Sequence, residues 1–560
     1  TLNFETYGSH GNTRSSDYGQ DLNAQNFINA VNVTRNASGQ IVCTVNPTRL
    51  VGTALTGFAA PGGTPIADPN CVPLDVFGDG RASAAARDYV VEDFVTISEQ
   101  EQTVFNANIG GSLFDLWAGP VGFNFGYEHR EEKASFTPSD FQQAGRGRSV
   151  AITPLAGKYN LDEAFGELVI PLVNDENNVP FIYNASVTGR GRYSDNTVNG
   201  GFFSYMVGGT LAPIPDVEFR GNFTRSFRSP AITELFLPKV NTFAFVPDLC
   251  QTSARNAGPA PTIRAANCAA FIAAFPGTDF NLPDPASTAS VPAQSGGNPN
   301  LENEAADSYS FGVIVRPTFI PRLSITADYI SISLNQPISN LSIAQIASGC
   351  FDNPNFNTSD PSNGNGFCEQ INYGPNGRVV GDPQNPAVRS GFVNGNNIKF
   401  SGIQGTIGYN FPLFSGDFTV GGDMLYVRRR LVDITGVAPS RSDGVIGDPE
   451  FSGQLRFRYA QNEFGMTTTV TYTGDQLFSR LNRAPGVAGS GADARALDKL
   501  KAYYVVSGGI FYEATDDLRL TFSVTNLFNR QGQNYFGELH PSSFNDLIGR
   551  RFQLSARATF

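Results

Sequence analysis

The chain closes on RRFQLSARATF, Arg550 to Phe560. Phe552, Leu554, Ala556, Ala558 and Phe560 fall on one side of an extended strand, and Gln553, Ser555, Arg557 and Thr559 fall on the other. Successive side chains of a pleated strand point to opposite faces, so the segment has one apolar and one polar side. A half-buried strand of a soluble sandwich and a strand of a membrane wall both fit that description. The rest of the chain decides between them.

The same alternation recurs throughout. Leu518, Leu520, Phe522 and Val524 alternate with Arg519, Thr521, Ser523 and Thr525, and Val121, Phe123, Phe125 and Tyr127 alternate with Asn124, Glu128 and Arg130. Leu455, Phe457 and Tyr459, Tyr309 to Val315, and Phe418 to Tyr426 read alike. About sixteen strands are predicted, many of ten or more residues, which is the length a tilted strand needs to cross a bilayer. The connections separate the two readings. Short turns, such as Ala212–Asp216, Phe319–Arg322, Ala460–Phe464 and Glu513–Asp517, alternate with long excursions. The long ones run over about 11–95, 230–304, 336–396 and 431–447, and a compact soluble domain rarely holds several loops of that length. Outer-membrane barrels have this asymmetry by construction, with short periplasmic turns and long outer loops. The predicted fold is therefore all-β, an antiparallel transmembrane β-barrel spanning 1–560. Within the first excursion, Leu22, Phe27, Ile28 and Val31 have helical spacing and predict a short surface helix.

Composition agrees. Charged residues are 16% of the 560, against roughly 25% in soluble domains, and the 45 Phe and 19 Tyr contrast with one Trp and three Met. No apolar run approaches the roughly 20 residues of a membrane helix. The formal charge of −12 and the lack of a basic stripe argue against a nucleic-acid partner. The Arg428-Arg429-Arg430 run, at a strand end, is expected on a rim facing solvent or lipopolysaccharide. No signal peptide is visible, and Thr1 already lies in a strand-like segment, so the natural start is expected upstream.

The six cysteines form three sequence-local couples, Cys43 with Cys71, Cys250 with Cys268, and Cys350 with Cys368, each inside a long polar excursion. Local couples fit disulfides made in an oxidising compartment, although six cysteines allow fifteen connectivities. Signals for catalysis are missing. His10, His129 and His540 have no metal-ligand spacing, and there is no nucleophile elbow, phosphate loop or dinucleotide fingerprint. Glu99 and Glu101 could form a pair, but on a strand they are expected to face the lumen or its water. The stretch Asp352 to Asp360 lacks the spacing of a calcium loop. Neither a cofactor nor a metal is expected. Phe243, Phe245, Phe351, Asn353, Asn355 and Asn357 mix aromatic and amide groups in loops, which suits stacking on and hydrogen bonding to a sugar or an organic chelate.

Several segments resemble the TonB-dependent receptors of Gram-negative outer membranes. They are SFRSPAITELF (Ser226–Phe236), GNPNLENEAADSYSFGV (Gly297–Val313), VTNLFNR (Val524–Arg530), AGPVGFNFGYEHREE (Ala118–Glu132) and the terminal Phe560. Ser229 stands where that family more often has Ala. The resemblance implies a 22-stranded barrel with an N-terminal plug domain, of which this sequence holds about sixteen strands and neither the plug nor the TonB-engaging box. It also implies import of a scarce solute (a siderophore, cobalamin or an oligosaccharide) driven by TonB with ExbB and ExbD. Phe560 would be the signal read by the barrel-assembly machinery. The rivals are a passive sixteen-stranded porin and a surface adhesin or structural barrel without transport.

Overall fold

The computed structural model describes residues 2–44, 68–147, 151–237, 239–382, 385–437, 439–477, 499–531 and 548–559. Phe560 lies outside them. Among the described residues no helix is long and apolar enough to cross a membrane.

Among the described residues, sixteen strands of eight residues or more follow one another as antiparallel neighbours. They are β1 (Leu2–Leu22), β2 (Val91–Leu116), β3 (Gly119–Thr137), β4 (Leu155–Val173), β5 (Asn184–Asn196), β6 (Gly200–Ile214), β7 (Val217–Arg228) and β8 (Glu304–Val315), followed by β9 (Leu323–Asn335), β10 (Asn397–Leu413), β11 (Gly416–Asp433), β12 (Phe451–Gln461), β13 (Phe464–Thr473), β14 (Tyr503–Thr515), β15 (Leu518–Thr525) and β16 (Arg551–Ala558). A two-residue strand, Ser440–Arg441, adds to β11. Each strand pairs with the next in the chain, from β1 with β2 through β15 with β16. The result is an up-and-down barrel wall. The ladder register places β1 beside β2 and β16 beside β15, and all eight residues of β16 are exposed.

Register keeps the two faces separate across the wall. Phe125 pairs with Ile109, Tyr309 with Phe223, Phe311 with Tyr329, Ile403 with Tyr426, and Phe522 with Leu554. These apolar rows are the exposed ones: Phe311 is 62% exposed, Tyr309 58% and Val207 55%. On the opposite face Glu128 and Glu163 are each 7% exposed, and Ser194 is fully buried. A soluble domain has the reverse arrangement, because burying unpaired charge costs far more than exposing an aromatic ring. Exposed rings and sheltered carboxylates belong to a wall whose outer face meets hydrocarbon and whose inner face is polar. At the short-turn rim Trp117, Phe181, Phe319 and Phe414 are exposed, as aromatic rings at a bilayer interface are. Trp117 donates its indole N–H to the Leu172 carbonyl at 2.7 Å.

The structure corrects three sequence-based boundaries. The first excursion begins after Leu22 rather than at Gly11, since β1 stays paired with β2 through Leu22 opposite Val91. The strict short–long alternation fails at 197–199, a three-residue turn on the long-loop rim, closed by Gly200 at φ +72°. The helix expected in the first excursion is α1 (Ala24–Val31), but it is not a surface helix. Asn23 caps it, Ile28 and Ala30 are buried, and it packs against α2 (Ala84–Val90).

Candidate functional site

The long loops are folded. Segments 229–303 and 336–396 interlock in a cap at the long-loop rim. The short strand Val291–Ser295 pairs antiparallel with Val240–Ala244 from its own loop and parallel with Val388–Arg389 from the other. One apolar cluster joins Val246, Ala293, Leu341, Ile346, Val388 and Ile434, drawing on three different loops. A second joins Phe271, Phe280, Phe351 and Phe356 around the cysteines. Phe271, on α3 (Pro261–Ala274), meets Phe351 edge-on at 5.3 Å and Tyr373 at 4.9 Å. The disulfides Cys250–Cys268 and Cys350–Cys368 lie within this cluster, and Cys43–Cys71 ties down the loop that holds α1 and α2.

Two ion pairs brace the cap. Arg264 of α3 grips Asp352, at the end of α4 (Ile343–Phe351), in a two-pronged contact of 2.8 and 2.6 Å. Both side chains are almost wholly buried, and the Ser348 hydroxyl donates a third bond to the same carboxylate at 2.5 Å. Asn267 donates to the Phe351 and Asn353 carbonyls, so the turn after α4 is fixed to α3. The second pair is Arg378 with Asp248 at 3.4 Å. Burial pushes the Asp248 carboxyl above the usual carboxylate value and nearby Asp284 adds to this, while backbone donors and Arg378 oppose it. Burial likewise raises the phenol of Tyr373.

The expected ligand residues divide. Phe351 is buried in the aromatic cluster and is not available to a solute. Asn353 accepts the Asn355 backbone N–H, and Asn357 accepts that of Ser359, so both amides stabilise local turns. Phe243 and Phe245 are exposed on one loop, and Asn355 and Asn357 on the other. The structure does not gather the six into one cluster. The residues that shape the cap most, Arg264 and Asp352, gave no signal, because they stand 88 positions apart.

Below the cap, the polar face carries pairs of opposite charge, some along one strand and some between strands. Glu128 pairs with Arg130 at 2.7 Å and accepts from Asn106 at 3.1 Å. Arg192 reaches Glu163 at 2.6 Å, Arg190 reaches Glu167 at 2.8 Å, and Arg220 holds Asp328 with bonds of 2.7 and 2.6 Å. Arg192 also lies over the Phe165 ring at 4.6 Å. A cavity of about 410 Å³ opens among Asn124, Phe165, Glu167, Arg190, Arg192 and Thr224. This lining is wet and charged and suits passage of a polar solute. His129 is elsewhere, on the outward face, with Nδ1 2.8 Å from Asp162, to which Tyr127 also donates. His10 meets the Thr103 hydroxyl at 3.0 Å. Glu99 pairs with Arg14, and Glu101 with Lys133, also on the outward face rather than the polar one. Among the described residues no cluster of three His, Cys, Asp or Glu side chains is arranged to hold a metal.

Comparison with known proteins places the wall. The family model described as "TonB dependent receptor-like, beta-barrel" matches residues 2–527. Among solved structures the chain is similar to the siderophore receptor PirA from Acinetobacter baumannii, at 14% identity and a TM-score of 0.52, covering 84% of this chain and 60% of that one. It is also similar to a mutant of the ferric enterobactin receptor PfeA from Pseudomonas aeruginosa, at 16% identity and a TM-score of 0.52, covering 86% of this chain and 55% of that one. The chain thus spans 55 to 60% of the length of these two structures. No curated protein sequence matches it. Sixteen strands with polarity turned inside out, matched by one family model over nearly their full extent, make this chain a member of the TonB-dependent receptor β-barrel family.

Proposed function

We propose that the chain is the wall and outer cap of an outer-membrane active transporter. The long-loop rim faces outward, the cap binds a scarce and bulky solute, and energy delivered by TonB, with ExbB and ExbD, opens the path along the polar face. The observation that carries this reading is the braced cap. Loops joined by two apolar clusters, a buried ion pair and disulfides present a preformed surface, which lowers the ordering cost of binding. A passive pore needs no such surface. PirA is named a siderophore receptor and PfeA a ferric enterobactin receptor, so an iron chelate is the first solute to test, ahead of cobalamin and oligosaccharides. The exposed Phe243, Phe245, Asn355 and Asn357 are the candidate contacts. No catalytic step belongs to this reading.

Uptake in cells tests it. Labelled ferric siderophore, cobalamin and oligosaccharide are supplied to cells expressing the protein, with and without TonB and with the proton-motive force collapsed. Import of one solute that stops in both impaired conditions is expected. Import that persists without TonB would make the protein a passive channel. An epitope inserted after Gly80 reports orientation, and antibody should reach it on intact cells.

A further inference from the structure

The segments Ser226–Phe236 and Gly297–Val313, which carry the family resemblance, meet in space. β7 ends at Arg228, which alternates onto the polar face with Thr224 and Ser226. Its Nε donates to Glu304 of β8 at 2.5 Å, and its two terminal nitrogens donate to the Glu234 carboxylate at 2.9 and 3.1 Å. Glu234 lies on a one-turn helix, Ile232–Phe236, and also accepts the Ala231 backbone N–H, so the guanidinium fixes the start of this helix. The other end returns to the wall three strands away. Phe236 lies on Gly157 of β4, so closely that a β-carbon there would stand 2.4 Å from the ring. Gly157 alternates onto the same polar face as Tyr159 and Glu163. The helix therefore crosses inside the mouth of the wall, over three strand spacings or roughly 14 Å.

The second segment completes the crossing. The Gly297 backbone N–H donates to the Leu237 carbonyl at 2.6 Å and that of Asn298 to the Glu234 carbonyl at 2.8 Å. A β-carbon on Gly297 would meet the Leu235 carbonyl oxygen at 2.8 Å, so only glycine lets the two backbones lie this close. β5 and β6, which the helix crosses, are joined by the short turn 197–199, where the Asn199 amide donates to the Leu301 carbonyl. Ser226, one inward step below Arg228, lines the cavity of about 410 Å³ with Phe165, Arg192 and Thr224. The helix thus stands between that cavity and the cap. Its hold on the wall differs in kind from the bracing of the cap. The Arg264 and Asp352 side chains are 6% and 0% exposed, whereas that of Arg228 is 46% exposed. A hydrated ion pair is weak, and the one ring on Gly157 is reinforced by no covalent bond, whereas disulfides reinforce the cap. The helix can lift from the wall while the cap stays folded.

We propose that Ile232–Phe236 is a strap that closes the outer mouth of the polar passage above this cavity, latched by Glu234 on Arg228 and by Phe236 on Gly157. The assignment rests on the transporter reading above, in which a solute leaves the cap along the polar face. A cysteine in place of Thr224 tests it, because all six native cysteines are in disulfides. Intact cells are treated with a membrane-impermeant maleimide, and labelling is normalised to an Asp79→Cys protein, whose site is an exposed loop. Thr224→Cys should label slowly in the otherwise native chain. Adding Glu234→Gln or Phe236→Ala should speed labelling about tenfold or more, as loss of a charge-assisted bond or a packed ring does. Adding Asp307→Asn, which breaks the outward ion pair with Arg225, should leave the rate unchanged. Folding of each variant is checked by heat-dependent gel mobility. Equal rates with and without the latch substitutions, or an equal rise with Asp307→Asn, overturn the strap. An unlabelled Asp79→Cys overturns the outer position of the strap together with the orientation proposed above. TonB-dependent import with latch-independent labelling removes the strap alone. TonB-independent import with latch-dependent labelling removes the transporter reading alone.

Discussion

Asp352 is fully buried, and its charge is tolerated because Arg264 and Ser348 supply three donors to its two oxygens. Removing one partner of such a pair leaves an unmatched charge in a dry site, which costs about 3–5 kcal/mol. Arg264→Ala should therefore loosen the cap by that amount and leave the wall intact. Hydrogen exchange is the measurement: amides of α3 and α4 should exchange faster, and those of β7 to β9 should not change. Asp248 gives a prediction in pH. Its carboxyl titrates above the usual value because burial penalises the charged form. Between the unfolded and folded values the folded cap binds the extra proton, so stability falls as pH rises through that window. Protection of the cap amides should be higher at the acid end and level off above the folded value. Asp248→Asn should flatten this slope, and an unchanged slope would assign the titration to another group.

Loop elements add a covalent layer. Cys250–Cys268 and Cys350–Cys368 each span 18 residues, and closing a loop of that size removes roughly 3 kcal/mol of unfolded-chain entropy. Replacing both cysteines of either pair with serine should make the cap protease-sensitive at temperatures where the wall keeps its mobility on gels. The strands and the loops also differ in how much the sequence tells. Within the lipid band a strand has hydrocarbon on one side and a polar interior on the other, so side chains must alternate and Phe311 or Leu520 can be read directly. Beyond the band both sides of a strand meet water and the constraint lapses. That is why the Gly-Asn-Thr-Arg-Ser-Ser-Asp run, Gly11 to Asp17, reads as loop although it continues the β1 ladder. The cap was illegible for another reason. Its stabilising contacts join residues far apart in the chain, such as Arg264 with Asp352 and Ala293 with Val388, and α3 buries Arg264 and Asn267 beside Cys268 and Phe271, so no clean apolar stripe marks it. Phe351 shows the consequence. An aromatic in an Asn-rich loop reads as a ligand contact, and only the packing of Phe271 and Phe356 on it shows that it belongs to the cap's core.

At the scale of the whole molecule the two faces of the wall obey opposite rules, and substitution can measure this. Phe311 and Ile407 lie in the middle of outward rows, with Tyr329 and Gly221 flanking the first and Ile325 and Gly422 the second. An arginine at either position must leave water for hydrocarbon, at a cost of about 2–4 kcal/mol near the bilayer centre. Gln404 lies one residue along β10 from that face, pointing to the polar side, where its ladder partner on β9 is Asp328. A lysine there stays hydrated next to a carboxylate and should change stability by no more than about 0.5 kcal/mol, as surface substitutions do. Urea unfolding from lipid vesicles checks the contrast. Phe311→Arg and Ile407→Arg should lower the midpoint sharply, and Gln404→Lys should leave it in place. The same three variants in a soluble sandwich would give the same pattern, since the apolar face would then be the packed core, where both sites pay for a buried charge, and the polar face would be open water, where Gln404→Lys is again silent. The distinguishing reading is therefore the dependence on bilayer thickness. Only in a membrane wall does the cost of arginine at Phe311 fall as the lipid chains shorten and bring the headgroups nearer, and a cost independent of chain length would place these rows inside the protein.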